Sequence, residues 1–191
     1  MTVRPGIGML ILLSLCFAGP LCADDADMSP TEGIDRYQKL VELYPQKASY
    51  RNALGYYYLK AEDYQKAEAC FLEALQLDRS YATAHNNLGI VYLRRERPEQ
   101  AEKEFRQALK LNPSYSKAQY NLAVALFHQK RYSQAAKAYL EARRMDSDYV
   151  ERRDNREKIQ EKMNQALKHV DEDDRSTRKL KRLKQWLAPY Y

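Results

Sequence analysis

Small and large apolar residues recur along the middle of the chain with a fixed long period. Leu54-Gly55, Leu88-Gly89 and Leu122-Ala123 follow one another at steps of 34 residues. Thirteen positions after each Leu stand Ala67, Ala101 and Ala135. Phe71, Phe105 and Tyr139 come four later, and Ala74, Ala108 and Ala142 three after those. These steps of three and four are helical spacing. They define units 48–81, 82–115 and 116–149, each closed by a tyrosine (Tyr81, Tyr115, Tyr149). Asn112-Pro113 ends the second unit's last helix, because proline cannot continue a helix and restrains the residue before it.

The register also runs upstream for half a unit. Gly33, Tyr37, Leu40 and Pro45 occupy the places of Ala67, Phe71, Ala74 and Arg79. A lone helix over 31–44 is therefore predicted, starting near Ser29-Pro30. It acts as an N-terminal cap within 31–47, preceded by a flexible linker at 24–30. Downstream the repeat stops. Val150 to Lys158 is nearly all charge, and Ile159, Met163, Leu167 and Val170 then return at helical spacing. A capping helix over 150–170 follows, its later half on the third unit. Asp171-Glu172-Asp173-Asp174 breaks it or begins the next. Within the tail 171–191, Arg175 to Leu187 forms a basic amphipathic helix.

Leu-Gly, then Tyr, Ala, Phe, Ala and Pro at these offsets resemble the tetratricopeptide repeat, a 34-residue helix–turn–helix. The second unit matches most fully, with Leu88, Gly89, Tyr92, Ala101, Phe105, Ala108 and Pro113. The first has Arg79 where the closing Pro stands. The third has Ala123, Leu126 and Ser147 where Gly, Tyr and Pro stand. Arg51, His85 and Gln119 replace the family's early Trp. The resemblance implies an all-α fold, a short right-handed superhelical solenoid with capping helices. Gly55 and Gly89 on the first helices are expected to let Ala67 and Ala101 on the second helices approach closely. One such pair cannot bury its apolar face alone, so stability comes from stacking.

In that family the first helices line a concave groove. Carried onto this register, the lining is Ser49, Asn52, Tyr56, Leu59 and Lys60 in the first unit. Thr83, Asn86, Ile90, Leu93 and Arg94 follow in the second, and Lys117, Tyr120, Val124, Phe127 and His128 in the third. Amides, aromatic rings and cations suit an extended peptide or protein segment as partner. Some relatives clamp a peptide's terminal carboxylate with Lys, Asn, Asn, Lys and Arg. The matching positions hold Asn52, Tyr56, Asn87, Lys117 and Asn121, so only Asn87 and Lys117 agree.

Composition changes this picture little. The net charge is +6, from 32 basic and 26 acidic residues, too balanced for a strongly cationic nucleic-acid binder. No phosphate-cradling loop, His-Glu-x-x-His or paired cysteine motif is present, and His85, His128 and His169 sit apart. A non-enzymatic protein without metal or cofactor is expected.

The N-terminus adds an address. Arg4 precedes the apolar run Ile7 to Ala18 and the small-residue exit, the layout of a secretory signal peptide over 1–23. Cleavage follows Ala23 or Ala18. A lipid anchor on Cys22 is the variant reading, although Leu21 departs from the small residue such signals carry. Cleavage after Ala23 leaves Cys70 as the one thiol, inert on its helix. The expectation is an exported adaptor, periplasmic or secreted, that serves assembly of an envelope or secretion complex. Two alternatives stay open. One is a self-associating module, a homo-oligomer whose groove takes its own tail. The other is a protein docked peripherally on membrane through 175–187.

Overall fold

The computed structural model describes residues 28–153, with side chains through Val150. The expectations for the signal segment, for 154–170 and for the basic tail lie outside the described residues. Among the described residues eight helices follow one another. They are α1 (Pro30–Leu43), α2 (Ala48–Lys60), α3 (Tyr64–Leu77), α4 (Ala82–Arg94), α5 (Pro98–Leu111), α6 (Ser116–His128), α7 (Tyr132–Met145) and α8 (Ser147–Arg153). The fold is all-α. Helices α2/α3, α4/α5 and α6/α7 form three antiparallel pairs, and each second helix also packs on the first helix of the next pair.

The local sequence explains the boundaries. At α1 the Ser29 hydroxyl accepts from the Glu32 N–H, and the Glu32 carboxylate accepts from the Ser29 N–H at 3.1 Å, a reciprocal cap with Pro30 in the first turn. Each first helix ends the same way. The N–H of Asp63, Arg97 and Arg131 reaches back to the carbonyl of Tyr58, Tyr92 and Leu126 at 2.8–3.0 Å. The residue before it is left-handed in all three copies: Glu62 (φ 61°), Glu96 (φ 58°) and Lys130 (φ 60°). Glycine is the usual choice for that conformation; this chain uses charged residues.

Close packing fills the interior. Phe71 and Phe105 are fully buried, as are Ala67, Ala74, Ala101 and Ala108. The first-helix glycines do approach their partner helices tightly, but the expected neighbour changes. A Cβ on Gly55 would stand 2.8 Å from Phe71 Cε1, and one on Gly89 would stand 2.5 Å from Phe105 Cε1. The aromatic ring, rather than Ala67 or Ala101, forbids the side chain.

The first end of the stack solves a particular problem. No partner helix precedes α1 among the described residues, and Tyr57 fills the space. Its ring is wholly buried and stacks on Tyr37 with centroids 5.5 Å apart. Gly33 makes room: a Cβ there would lie 2.2 Å from the Tyr57 ring. The equivalent pairs further along are Ala67 with Val91 and Ala101 with Ala125, so the two positions trade size as a unit.

At the other end α8 begins at Ser147, three residues before the expected boundary at 150. The cause is the turn residue. Asp78 and Asn112 accept from the N–H and hydroxyl of Ser80 and Ser114, two residues on. Position 148 is Asp, which offers no hydroxyl, and Asp146 instead accepts from the Tyr149 N–H at 2.8 Å and starts a helix. Val150 is buried against Tyr120 and Ala142, so the start of this helix packs on the third pair.

Cys70 is buried. Burial, followed by the charge of Glu73, pushes its thiol up to about 11, consistent with an unreactive side chain.

Candidate functional site

The three first helices lie side by side. Helix α2 packs on α4 and α4 on α6, while each second helix finds its main partners in first helices. First helices therefore crowd one face and second helices fan out behind them, which makes the first-helix face the inner one. Because the units repeat in register, like positions line up in rows across that face.

One row is Lys60, Arg94 and His128, all exposed, at the ends of α2, α4 and α6. Beside it run Leu59, Leu93 and Phe127, and then Tyr56, Ile90 and Val124, all half-buried. Phe127 leans on Tyr132 at 5.5 Å. At the opposite rim stand Ser49 and Thr83, half-buried, and Lys117, exposed, its ammonium 5.7 Å from the Tyr149 ring. The result is an apolar floor between two polar rims.

Four of the expected lining residues are not open to a ligand. Asn52, Asn86 and Asn121 are buried, and their amides bond to the neighbouring unit. Asn121 Nδ2 donates to Asn86 Oδ1 at 2.9 Å, Asn87 Nδ2 donates to Asn52 Oδ1 at 3.1 Å, and Asn86 Nδ2 donates to Asn87 Oδ1 at 3.3 Å. Neighbouring first helices come close enough for the amides to find each other. They tie units together rather than face a peptide backbone; Asn87 alone is half-buried. Tyr120 is enclosed by Tyr139 at 6.4 Å, Tyr149 at 6.0 Å and Val150, so α8 covers it.

The closing tyrosines were absent from the expected lining and belong beside it. Tyr149 meets Lys117, and Tyr115 lies at Thr83, with its phenol raised by burial and held down by that hydroxyl. The Tyr81 phenol is raised by burial as well, while Asn52 lowers it. Their recurrence at the end of every unit was the signal that could have placed them.

Charge divides sharply between the two helix types. Helices α2, α4 and α6 contain no Asp or Glu at all. Four carboxylates of the second helices are engaged: Glu73 with Arg51 at 2.5 Å, Glu68 with Arg95, Glu104 with His85 at 2.7 Å and Glu102 with Arg131 at 2.6 Å. Lys60, Arg94 and Lys117 have no carboxylate within ion-pair distance among the described residues. Lys60 Nζ lies 5.4 Å from the Tyr57 ring and donates to the Met28 carbonyl at 3.3 Å. Among the described residues no cluster of His, Cys, Asp and Glu could hold a metal ion. No described helix is long and apolar enough to cross a membrane.

The tetratricopeptide-repeat pattern matches residues 86–150, and a second TPR-repeat pattern matches 55–95. The chain is a tetratricopeptide-repeat protein. Among solved structures, the fold is similar to MamA, with 21% identity, 64% of this chain and 71% of that chain covered, and a TM-score of 0.57. It is similar also to the Arabidopsis OM64 TPR domain, at 21% identity over 64% of this chain and 96% of that one, TM-score 0.57. The first TPR of Spaghetti (RPAP3), solved bound to the HSP90 peptide SRMEEVD, is 25% identical. It covers 64% of this chain and 94% of its own, with a TM-score of 0.57. No curated protein sequence matches the chain.

Proposed function

We propose that this protein is an exported, non-catalytic adaptor that holds an extended segment of another protein in its concave groove, in the service of a larger envelope or secretion assembly. The observation that carries the groove reading is the unbroken apolar floor Tyr56–Ile90–Val124, backed by Leu59, Leu93 and Phe127 and flanked by exposed cations. Apolar floor and charged rim are what an extended peptide needs for affinity and orientation. The Spaghetti domain with its bound HSP90 peptide lends support by likeness. The terminal-carboxylate clamp is a poor fit, because Asn87 is engaged with Asn52 and, of the other four positions, only Lys117 matches. Export rests on the apolar run Ile7 to Ala18 and its small-residue exit.

The test is a crosslinking pull-down from intact cells. It compares the full chain with a variant carrying Tyr56→Ala, Lys117→Ala and Phe127→Ala whose helix content is unchanged. Loss of a specific partner from the variant is the expected result. Retention of the same partners would remove the groove as the working surface.

A further inference from the structure

We propose that the groove's occupant is an acidic segment, one that carries side-chain carboxylates at every third residue along an extended backbone. The inference rests on the groove reading above and adds the chemistry of the partner. Its basis is the row Lys60–Arg94–His128, one basic side chain per unit at the same place on each first helix. Such residues at helix C-termini are often explained by the helix dipole alone. That explanation does not account for the total absence of acids from α2, α4 and α6. Nor does it explain why Lys60 and Arg94 lack the glutamate partner that Arg51, Arg95, Arg106 and Arg131 each have. Lys60 and Arg94 point the same charge onto one rim of an apolar floor, and Lys117 adds a third from the other rim.

Spacing sets the pattern. Packed helices lie about 8–10 Å apart. An extended polyproline-type backbone advances about 9 Å in its three-residue turn and returns a side chain to the same face. Carboxylates three residues apart would thus meet Lys60, Arg94 and His128 in turn, while intervening apolar side chains meet Tyr56, Ile90, Val124 and Phe127. This row is separate from the positions that would clamp a terminal carboxylate, so the acids recognised lie within the segment.

The experiment uses the full chain and two fluorescent twelve-residue peptides with blocked ends. One has glutamate at every third position and leucine and proline between; the other has glutamine in place of each glutamate. Fluorescence anisotropy is expected to show the glutamate peptide binding at least tenfold tighter. That preference should shrink severalfold between low and high salt, and Lys60→Gln with Arg94→Gln should weaken binding about tenfold. Both substituted side chains are exposed, and circular dichroism checks that the variant is folded. Equal binding of the two peptides would overturn the proposal while leaving the groove reading intact. No binding of either, or binding unchanged in the double variant, would also overturn it. So would binding that emerges only after deletion of residues 24–27 or 171–174, because the chain's own acids would then be the occupant.

Discussion

Replacing Gly89 by alanine sets two opposing effects against each other, and the structure decides between them. In an open helix interior the change stabilises by about 1 kcal/mol, because glycine is the poorer helix former. Here the new Cβ would lie 2.5 Å from Phe105 Cε1, 2.8 Å from Cδ1 and 2.9 Å from Cζ. Carbon atoms pack comfortably at about 3.5–4.0 Å, so the ring must retreat by about 1 Å. Phe105 is fully buried and has nowhere open to go. Overpacking of this kind costs about 1–3 kcal/mol, and three close ring atoms put this case in the upper half of that range. The net expectation is a loss of about 1–2 kcal/mol, or a fall in Tm of about 2–8 °C for a chain of this size. The third unit shows the natural solution. It carries Ala123, and its ring, Tyr139, is only half-buried, tilted toward Tyr120 at 6.4 Å. Urea and thermal unfolding followed by circular dichroism measure the change. A cycle with Phe105→Leu should then show strong coupling, the alanine costing much less against the smaller side chain. A Gly89→Ala protein as stable as the parent, or costs that simply add, would refute the packing argument.

Three further outcomes follow from the same structure. Glu62, Glu96 and Lys130 hold left-handed backbone at a cost of about 1–2 kcal/mol each, partly offset by the entropy a glycine would lose. Glu96→Gly should therefore raise stability by about 0.5–1 kcal/mol, and the triple glycine variant by about 2 kcal/mol; a destabilised Glu96→Gly protein would contradict this. Both ring nitrogens of His85 face acceptors, Glu104 Oε2 at 2.7 Å and the Arg79 carbonyl at 3.3 Å. Burial opposes its charge, but these bonds and the Glu104 charge prevail and raise its pKa. A raised basic group stabilises fully below its unfolded pKa of about 6.5 and loses that contribution as pH climbs through the folded value. The urea midpoint should accordingly fall from pH 6 to pH 8, and His85→Gln should flatten that dependence. Finally, Asn86→Ala leaves the buried Asn121 amide without its acceptor and should cost about 1–3 kcal/mol. Asn52→Ala should cost less, since its partner Asn87 is half-buried and can reach water; equal costs would count against the ladder.

The stack of helix pairs could be read from the sequence because close packing forces small residues to recur. Gly55, Gly89, Ala67 and Ala101 are fixed by contacts that repeat in each unit, so their period is the period of the fold. The N-terminal half unit was visible for the same reason, through Gly33 and Tyr37. The lining of the groove was visible only in part. Sequence register says which residues share a row, but not how closely two first helices approach. That distance is what turns Asn52, Asn86 and Asn121 from ligand-facing amides into a buried ladder between units. The covering of Tyr120 depended on where α8 starts, which in turn depended on a single Asp at 148 in place of the serines at 80 and 114. The left-handed turns were hidden because charged residues stand where a glycine would have announced them.

The most direct test of the groove as the working surface places a photo-crosslinking amino acid at Ile90, on its floor, and separately at Leu72, exposed on α3. After irradiation of cells, the account predicts discrete partner adducts from position 90 that disappear when Tyr56 and Phe127 are changed to alanine. Adducts arising from position 72 alone, or adducts at 90 that survive the groove substitutions, would contradict it.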